Sequence, residues 1–161
     1  MYACWGRSWP GSEAREATAA IHGRGVDLFD HVGLSVADLD AAEAFYRRAF
    51  GFRRELEFDL PPHPVTGRML LHPSGMRLEL FAHAESQPGI AGRSPVEAVA
   101  VRGYGHVALA SPEIETLFAH AVNAGARSVL EPGPSPQPGV RFAFLADPEG
   151  NLIELVERAQ R

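Results

Sequence analysis

From Leu28 to Val36 the apolar residues Val32, Leu34 and Val36 alternate with His31, Gly33 and Ser35, the period of a half-buried strand. After Asp38 the spacing changes. Ala41, Ala42, Phe45 and Ala49 fall on one face of a helix over Leu39–Phe50, with Asp38 as N-cap and Gly51 as the stop. Strands are predicted next near Arg53–Phe58, Gly67–Leu71 and Met76–Ala82, with His72-Pro-Ser-Gly75 as the turn before the last. The same order then recurs. A strand over Tyr104–Ala110 precedes a helix read as capped by Ser111, with Pro112 in its first position, running to about Asn123 and ended by Gly125. Strands follow near Arg127–Leu130, Val140–Ala146 and Asn151–Glu157, and Asp147-Pro-Glu-Gly150 is the matching turn.

The recurrence is residue by residue. An offset of 75 carries His31 onto His106 and Glu79 onto Glu154. It also carries Val32 onto Val107, Leu34 onto Leu109, Leu70 onto Leu145, Pro73 onto Pro148, Gly75 onto Gly150 and Leu80 onto Leu155. Self-similarity at a fixed period marks a duplicated supersecondary unit. The expectation is an α+β fold of two tandem βαβββ modules, residues 26–84 and 101–158, joined by a Gly/Ser/Pro-bearing linker over 85–100. Residues 1–25 form an N-terminal extension outside the repeat, with a short helix over Glu13–Ile21. One helix covers only one face of a four-stranded sheet, so two modules side by side can form a curved eight-stranded mixed sheet around a central cleft.

In each first strand the histidine lies on the face of small neighbours, opposite the aliphatic face that packs on a helix. Glu79 and Glu154 each interrupt an apolar strand, Arg77-Leu-Glu-Leu-Phe81 and Asn151-Leu-Ile-Glu-Leu-Val156. A carboxylate in a sheet concavity loses hydration and needs a partner. Arg77 and Arg102 are available as partners in a purely structural reading. The same His and Glu recurring at the same spacing favours a metal site instead. Two imidazoles and two carboxylates balance a divalent cation, and this N/O set suits Zn, Ni, Fe, Co or Mn.

Composition narrows the classes. The 161 residues are 45% hydrophobic and 22% charged, ordinary for one globular domain. A net charge of −5 gives no footprint for nucleic acid, and no apolar run approaches a membrane span. The single cysteine, Cys4, excludes an intrachain disulfide and fits a reducing cytoplasm. All 15 basic residues are Arg, so lysine Schiff-base chemistry is excluded. No HExxH, P-loop, GxSxG or Rossmann glycine pattern is present.

Four segments carry a family resemblance. They are Asp30-His-Val-Gly-Leu-Ser-Val-Ala-Asp38, Ala44-Phe-Tyr-Arg-Arg-Ala-Phe-Gly-Phe52, Gly103-Tyr-Gly-His-Val-Ala-Leu109 and Asp147-Pro-Glu-Gly-Asn-Leu-Ile-Glu-Leu155. Over about Val26–Arg158 the chain resembles the vicinal oxygen chelate superfamily, which includes glyoxalase I, bleomycin-resistance proteins and extradiol dioxygenases. The resemblance implies a homodimer and one divalent metal per site, held by His31, Glu79, His106 and Glu154. It also implies a glyoxalase-I-like lyase or isomerase that moves a proton on a small α-oxo or α-hydroxy carbonyl substrate through an enediolate. Glu154 is then the first candidate for proton shuttle and Glu79 its symmetry mate. Arg102 lies four residues before His106, and strand alternation would put both, with Tyr104, on one face, so the guanidinium is a candidate for binding substrate. The absence of Lys and the proline-rich Pro132–Gly139 depart from the glyoxalase pattern. The alternatives are a metabolite-binding resistance protein without turnover, an epimerase acting on methylmalonyl-CoA, and an extradiol dioxygenase.

Overall fold

The structure is a computed structural model that describes residues 29–89 and 94–159. The expectations for the N-terminal extension lie outside these residues. Both modules belong to one compact unit, His31–Arg161. In chain order its elements are β1 (His31–Ser35), α1 (Leu39–Phe50), β2 (Arg53–Asp59), β3 (Val65–Leu71), β4 (Arg77–His83), α2 (Pro95–Val99), β5 (Val107–Ala110), α3 (Ile114–Asn123), β6 (Arg127–Pro134), β7 (Val140–Ala146) and β8 (Leu152–Arg158). The eight strands make two open four-stranded mixed sheets, ordered β1-β4-β3-β2 and β5-β8-β7-β6. In each, the first strand runs parallel to the last and the other pairings are antiparallel.

Local chemistry sets the bounds of α1. The Asp38 side chain accepts from the backbone N–H groups of Asp40 and Ala41, and Gly51 closes the helix with φ 78°, a conformation that favours glycine. Leu39, Ala42, Phe45, Tyr46, Ala49 and Phe50 are buried. Ala41, expected on the buried face, is exposed, and Tyr46 takes part in the core instead.

Several boundaries differ from the sequence reading. The expected Ser111 cap is not used: Ser111 Oγ accepts from Glu113 N, its own N–H extends the pairing to Val156 O, and α3 begins only at Ile114. The proline-rich stretch is not a plain loop, because β6 continues through Pro132 and Gly133 to Pro134. It does so as an edge strand with register shifts on both sides of Leu130, where proline is tolerated. The linker also contains a short helix, α2, capped by Ser94.

The helix-bearing faces of the two sheets share one core. Phe45, Leu70, Leu80, Ile114, Leu145, Ile153 and Leu155 are fully buried in it, and Val32, Leu34, Val107 and Leu109 pack against it. Helices α1 and α3 touch, and their last turns exchange polar contacts: Arg48 Nη2 donates to Ala124 O at 3.4 Å, and His120 Nε2 lies 2.7 Å from Arg48 O. Strand alternation therefore puts His31 on the sheet face turned away from this shared core, and His106, the residue just before β5, is likewise exposed.

Candidate active site

The two repeated pairs form. His31 Nε2 lies 3.0 Å from Glu79 Oε2, and His106 Nε2 lies 3.1 Å from Glu154 Oε2. The first pair follows from register: parallel pairing sets Gly33 beside Glu79, where even a Cβ would make only an ordinary contact with the carboxylate, at 3.8 Å. In the second module Ala108 is beside Glu154. Side-chain exposures of 38% and 16% in the first pair, and 35% and 21% in the second, leave both reachable from solvent. A separation near 3 Å fits a hydrogen bond. It also fits two ligands of one cation, because donors about 2.1 Å from a metal at near-tetrahedral or octahedral angles lie roughly 3.0–3.4 Å apart.

The four residues do not meet within one chain. Among the described residues no three His, Cys, Asp or Glu side chains are grouped to hold a metal ion. The reason is the packing: the helix faces are joined in the core, so each His–Glu pair lies on an outer sheet face.

Arg102 is exposed in the turn before β5, and Gly103 there has φ 137°. Because β5 begins at Val107, the alternation expected to align Arg102 and Tyr104 with His106 does not extend to them. Arg77 pairs with Glu55, through Nε at 2.8 Å and Nη2 at 3.1 Å.

The sequence reading missed the aromatic residues beside each pair. On the first sheet Phe58 and Phe81 meet edge to face, centroids 6.1 Å apart at 88°. Phe58 lies directly over Gly67, where a Cβ would come 2.4 Å from Phe58 Cζ. On the second sheet Phe142 and Phe144 meet at 6.0 Å and 90°, and Phe144 also packs edge to face on His106 at 5.2 Å. The signal was present as alternation, since Phe81 is two residues beyond Glu79 and so shares its face. The repeat hid it: the offset of 75 carries Phe58 onto Gly133 and Gly67 onto Phe142, so the second aromatic pair comes from different positions.

Comparison with known proteins matches this architecture. The family model of the Glyoxalase/Bleomycin resistance protein/Dioxygenase superfamily matches residues 28–155. The chain belongs to that superfamily. Among curated members, a lactoylglutathione lyase of Arabidopsis thaliana is 28% identical over 134 residues, covering 81% of this chain and 44% of that protein. The chain thus spans less than half the length of that relative. Among solved superfamily structures, a glyoxalase I variant from Zea mays superposes with TM-score 0.71 at 26% identity, covering 90% of this chain and 50% of the other. A glyoxalase family protein from Enterococcus faecalis shares the fold with TM-score 0.67 at 22% identity, over 81% of this chain and 98% of its own.

Proposed function

We propose that the protein is a metal-dependent lyase or isomerase of glyoxalase-I-like type, acting on a small α-oxo or α-hydroxy carbonyl compound. The observation that carries the proposal is the twofold occurrence of a solvent-reachable His–Glu pair, at 3.0 and 3.1 Å, in the same place in two modules. The donor set fits a divalent cation in chemistry and charge, and His31, Glu79, His106 and Glu154 would hold it. Because each chain offers these residues as two separate halves, the complete set is assigned to a homodimer, with one pair from each chain. The named relatives, lactoylglutathione lyases, support the reaction class.

A cation held there would supply Lewis acidity toward two neighbouring substrate oxygens. The protein's own part is to hold and move a proton. Glu154 is the first candidate for general base and acid, taking a proton from the carbon next to a carbonyl and returning it to the neighbouring carbon. Phe144 packs edge to face on His106, and the partial burial of Glu154 strengthens its electrostatic action on a developing charge. Glu79 is the matching group at the other pair. Arg102, four residues before His106, remains a candidate substrate contact from a loop, which would bring it to bound substrate by loop movement.

The deciding experiment measures metal content in protein purified without a metal-affinity tag, then proton exchange on α-ketoaldehyde–thiol adducts. Wild type should hold a divalent metal and exchange the substrate proton, while Glu154→Gln should lose exchange by at least about a hundredfold. A wild type that neither holds nor takes up metal would sink the reading.

A further inference from the structure

The offset of 75 that relates the two His–Glu pairs also carries His83 onto Arg158, four residues beyond Glu79 and Glu154. Of the two, only the guanidinium is charged at every working pH. Residues four apart on a strand share a face, and the neighbour of Arg158 shows which face that is. Glu157 pairs with Arg141, and Arg141 also holds Glu115 of α3, so Glu157 is on the helix side and Arg158 is on the outer face with Glu154. Between them the outer face is apolar. Val156 separates the two along β8, and the register sets Phe144, Phe142 and Val140 opposite Glu154, Val156 and Arg158 in turn. Arg158 is exposed and, among the described residues, pairs with no carboxylate. At about 3.3 Å per residue, the Cα atoms of Glu154 and Arg158 are about 13 Å apart.

We infer that Arg158 binds an anionic terminus of the substrate, across an apolar segment from the reacting oxygens. This role rests on the metal-site reading above and deepens it by naming the substrate class. The compound is an amphipathic α-oxo or α-hydroxy acid. Its reacting oxygens face the His106–Glu154 pair, its apolar middle lies over Val156 and Phe142, and a carboxylate at its far end meets Arg158. An exposed arginine elsewhere on the surface would be an ordinary solvated group. What sets this one apart is its place. Along β7 and β8 the outer face has no charged side chain other than Glu154 and Arg158. Strand β8 is paired with β7 over its whole length, so the spacing between the two charges is fixed by the sheet and acts as a ruler for substrate length. The planar guanidinium fork also matches a carboxylate with two parallel hydrogen bonds.

Calorimetric titration of metal-loaded full-length protein with 2-hydroxydecanedioate and with 2-hydroxydecanoate tests this. Both acids offer a hydroxyl and an adjacent carboxylate to the ligand set. Only the first adds a carboxylate at the far end of a chain long enough to span the gap. Arg158→Gln should weaken binding of 2-hydroxydecanedioate about five- to tenfold, with metal content and 2-hydroxydecanoate affinity unchanged. Arg158→Lys should keep part of the affinity. Malate, too short to reach, should bind wild type and Arg158→Gln alike. Arg47→Gln removes the same charge from the last turn of α1 and should leave both long acids unchanged. Three results would overturn the inference: no binding of 2-hydroxydecanedioate by metal-loaded wild type, equal affinity in wild type and Arg158→Gln, or an equal loss in Arg47→Gln, which marks attraction by net charge alone. Failure of wild type to hold or take up metal would remove the parent reading and this inference together, whereas normal metal content with no effect at Arg158 removes this one alone.

Discussion

Tyr46 donates its hydroxyl to Asp147 Oδ2 at 3.0 Å, joining the helix of the first module to the β7–β8 turn of the second inside the core. Asp147 also accepts from Glu149 N, Asn151 N and Asn151 Nδ2, while the Glu149 carboxylate accepts from Ala37 N at 2.9 Å. One turn therefore grips the corner between β1, which begins at His31, and α1, and leads directly into β8, which carries Glu154. Tyr46→Phe removes one buried hydrogen bond and should cost about 1–2 kcal/mol. Burial, and then the Asp147 charge, push the Tyr46 phenol well above its ordinary value. A group whose folded value is raised contributes stability that is complete below the unfolded value, about pH 10, and is lost as pH rises toward the folded value. Thermal midpoints from pH 8 to 11 should fall more steeply in wild type than in Tyr46→Phe, and parallel curves would contradict the assignment.

Arg68 is the buried cation of the first module, 9% exposed on the helix side of β3. It donates to Glu57 at 2.5 Å, Asp40 at 2.6 Å and Glu43 at 3.0 Å, and Arg54 also pairs with Glu43 and Glu57. The network ties α1 to β2 and β3. Arg68→Met would remove the guanidinium that pairs with Asp40 and strip one partner from Glu43 and Glu57. Because Asp40 is largely exposed, the expected loss is about 2–3 kcal/mol, below the full cost of an uncompensated buried charge. Urea unfolding should show a lower midpoint with an unchanged slope.

These two contacts also mark what the sequence could and could not reveal. The ends of α1 were legible because Asp38 and Gly51 act within one turn of themselves. The faces of β1, β4 and β8 were legible because alternation in a half-buried sheet is strict, and the repeat then singled out His31, Glu79, His106 and Glu154. The end of β6 was not legible, since Pro132 and Pro134 read as loop residues and only an edge position admits them to a strand. Nor was the stacking of the modules. Period and offset say which face a side chain takes, but not that two helix faces merge through Tyr46, Asp147, Arg48 and His120 and leave the His–Glu pairs apart. Arg102 was misplaced for a local reason, because Gly103 turns the chain before β5 can begin.

Gly67 bears the Phe58 ring, and Gly67→Ala would bring a Cβ within 3.0 Å of three ring carbons. The ring must swing away, which also breaks its edge-to-face contact with Phe81 beside Glu79. The expected cost is about 1–3 kcal/mol in wild type, as for overpacking. In a Phe58→Ala background the same substitution should be nearly neutral. A double-mutant cycle on thermal unfolding checks this, and additive effects would contradict the contact.

The division of the four proposed ligands into two outward-facing pairs makes a prediction about assembly that single substitutions cannot test. If each site takes His31 and Glu79 from one chain and His106 and Glu154 from another, Glu79→Gln and Glu154→Gln should each inactivate a homodimer by damaging both sites. A mixed dimer of the two variants behaves differently. One of its sites carries both substitutions, and the other carries neither. Co-expression with two distinguishable tags, followed by tandem purification, should therefore restore up to about half of the wild-type metal content and proton exchange per dimer. Sites closed within single chains would instead leave every site damaged in the mixture. Recovery of nothing from a correctly folded mixed dimer would rule out the shared site and require the two pairs to act separately.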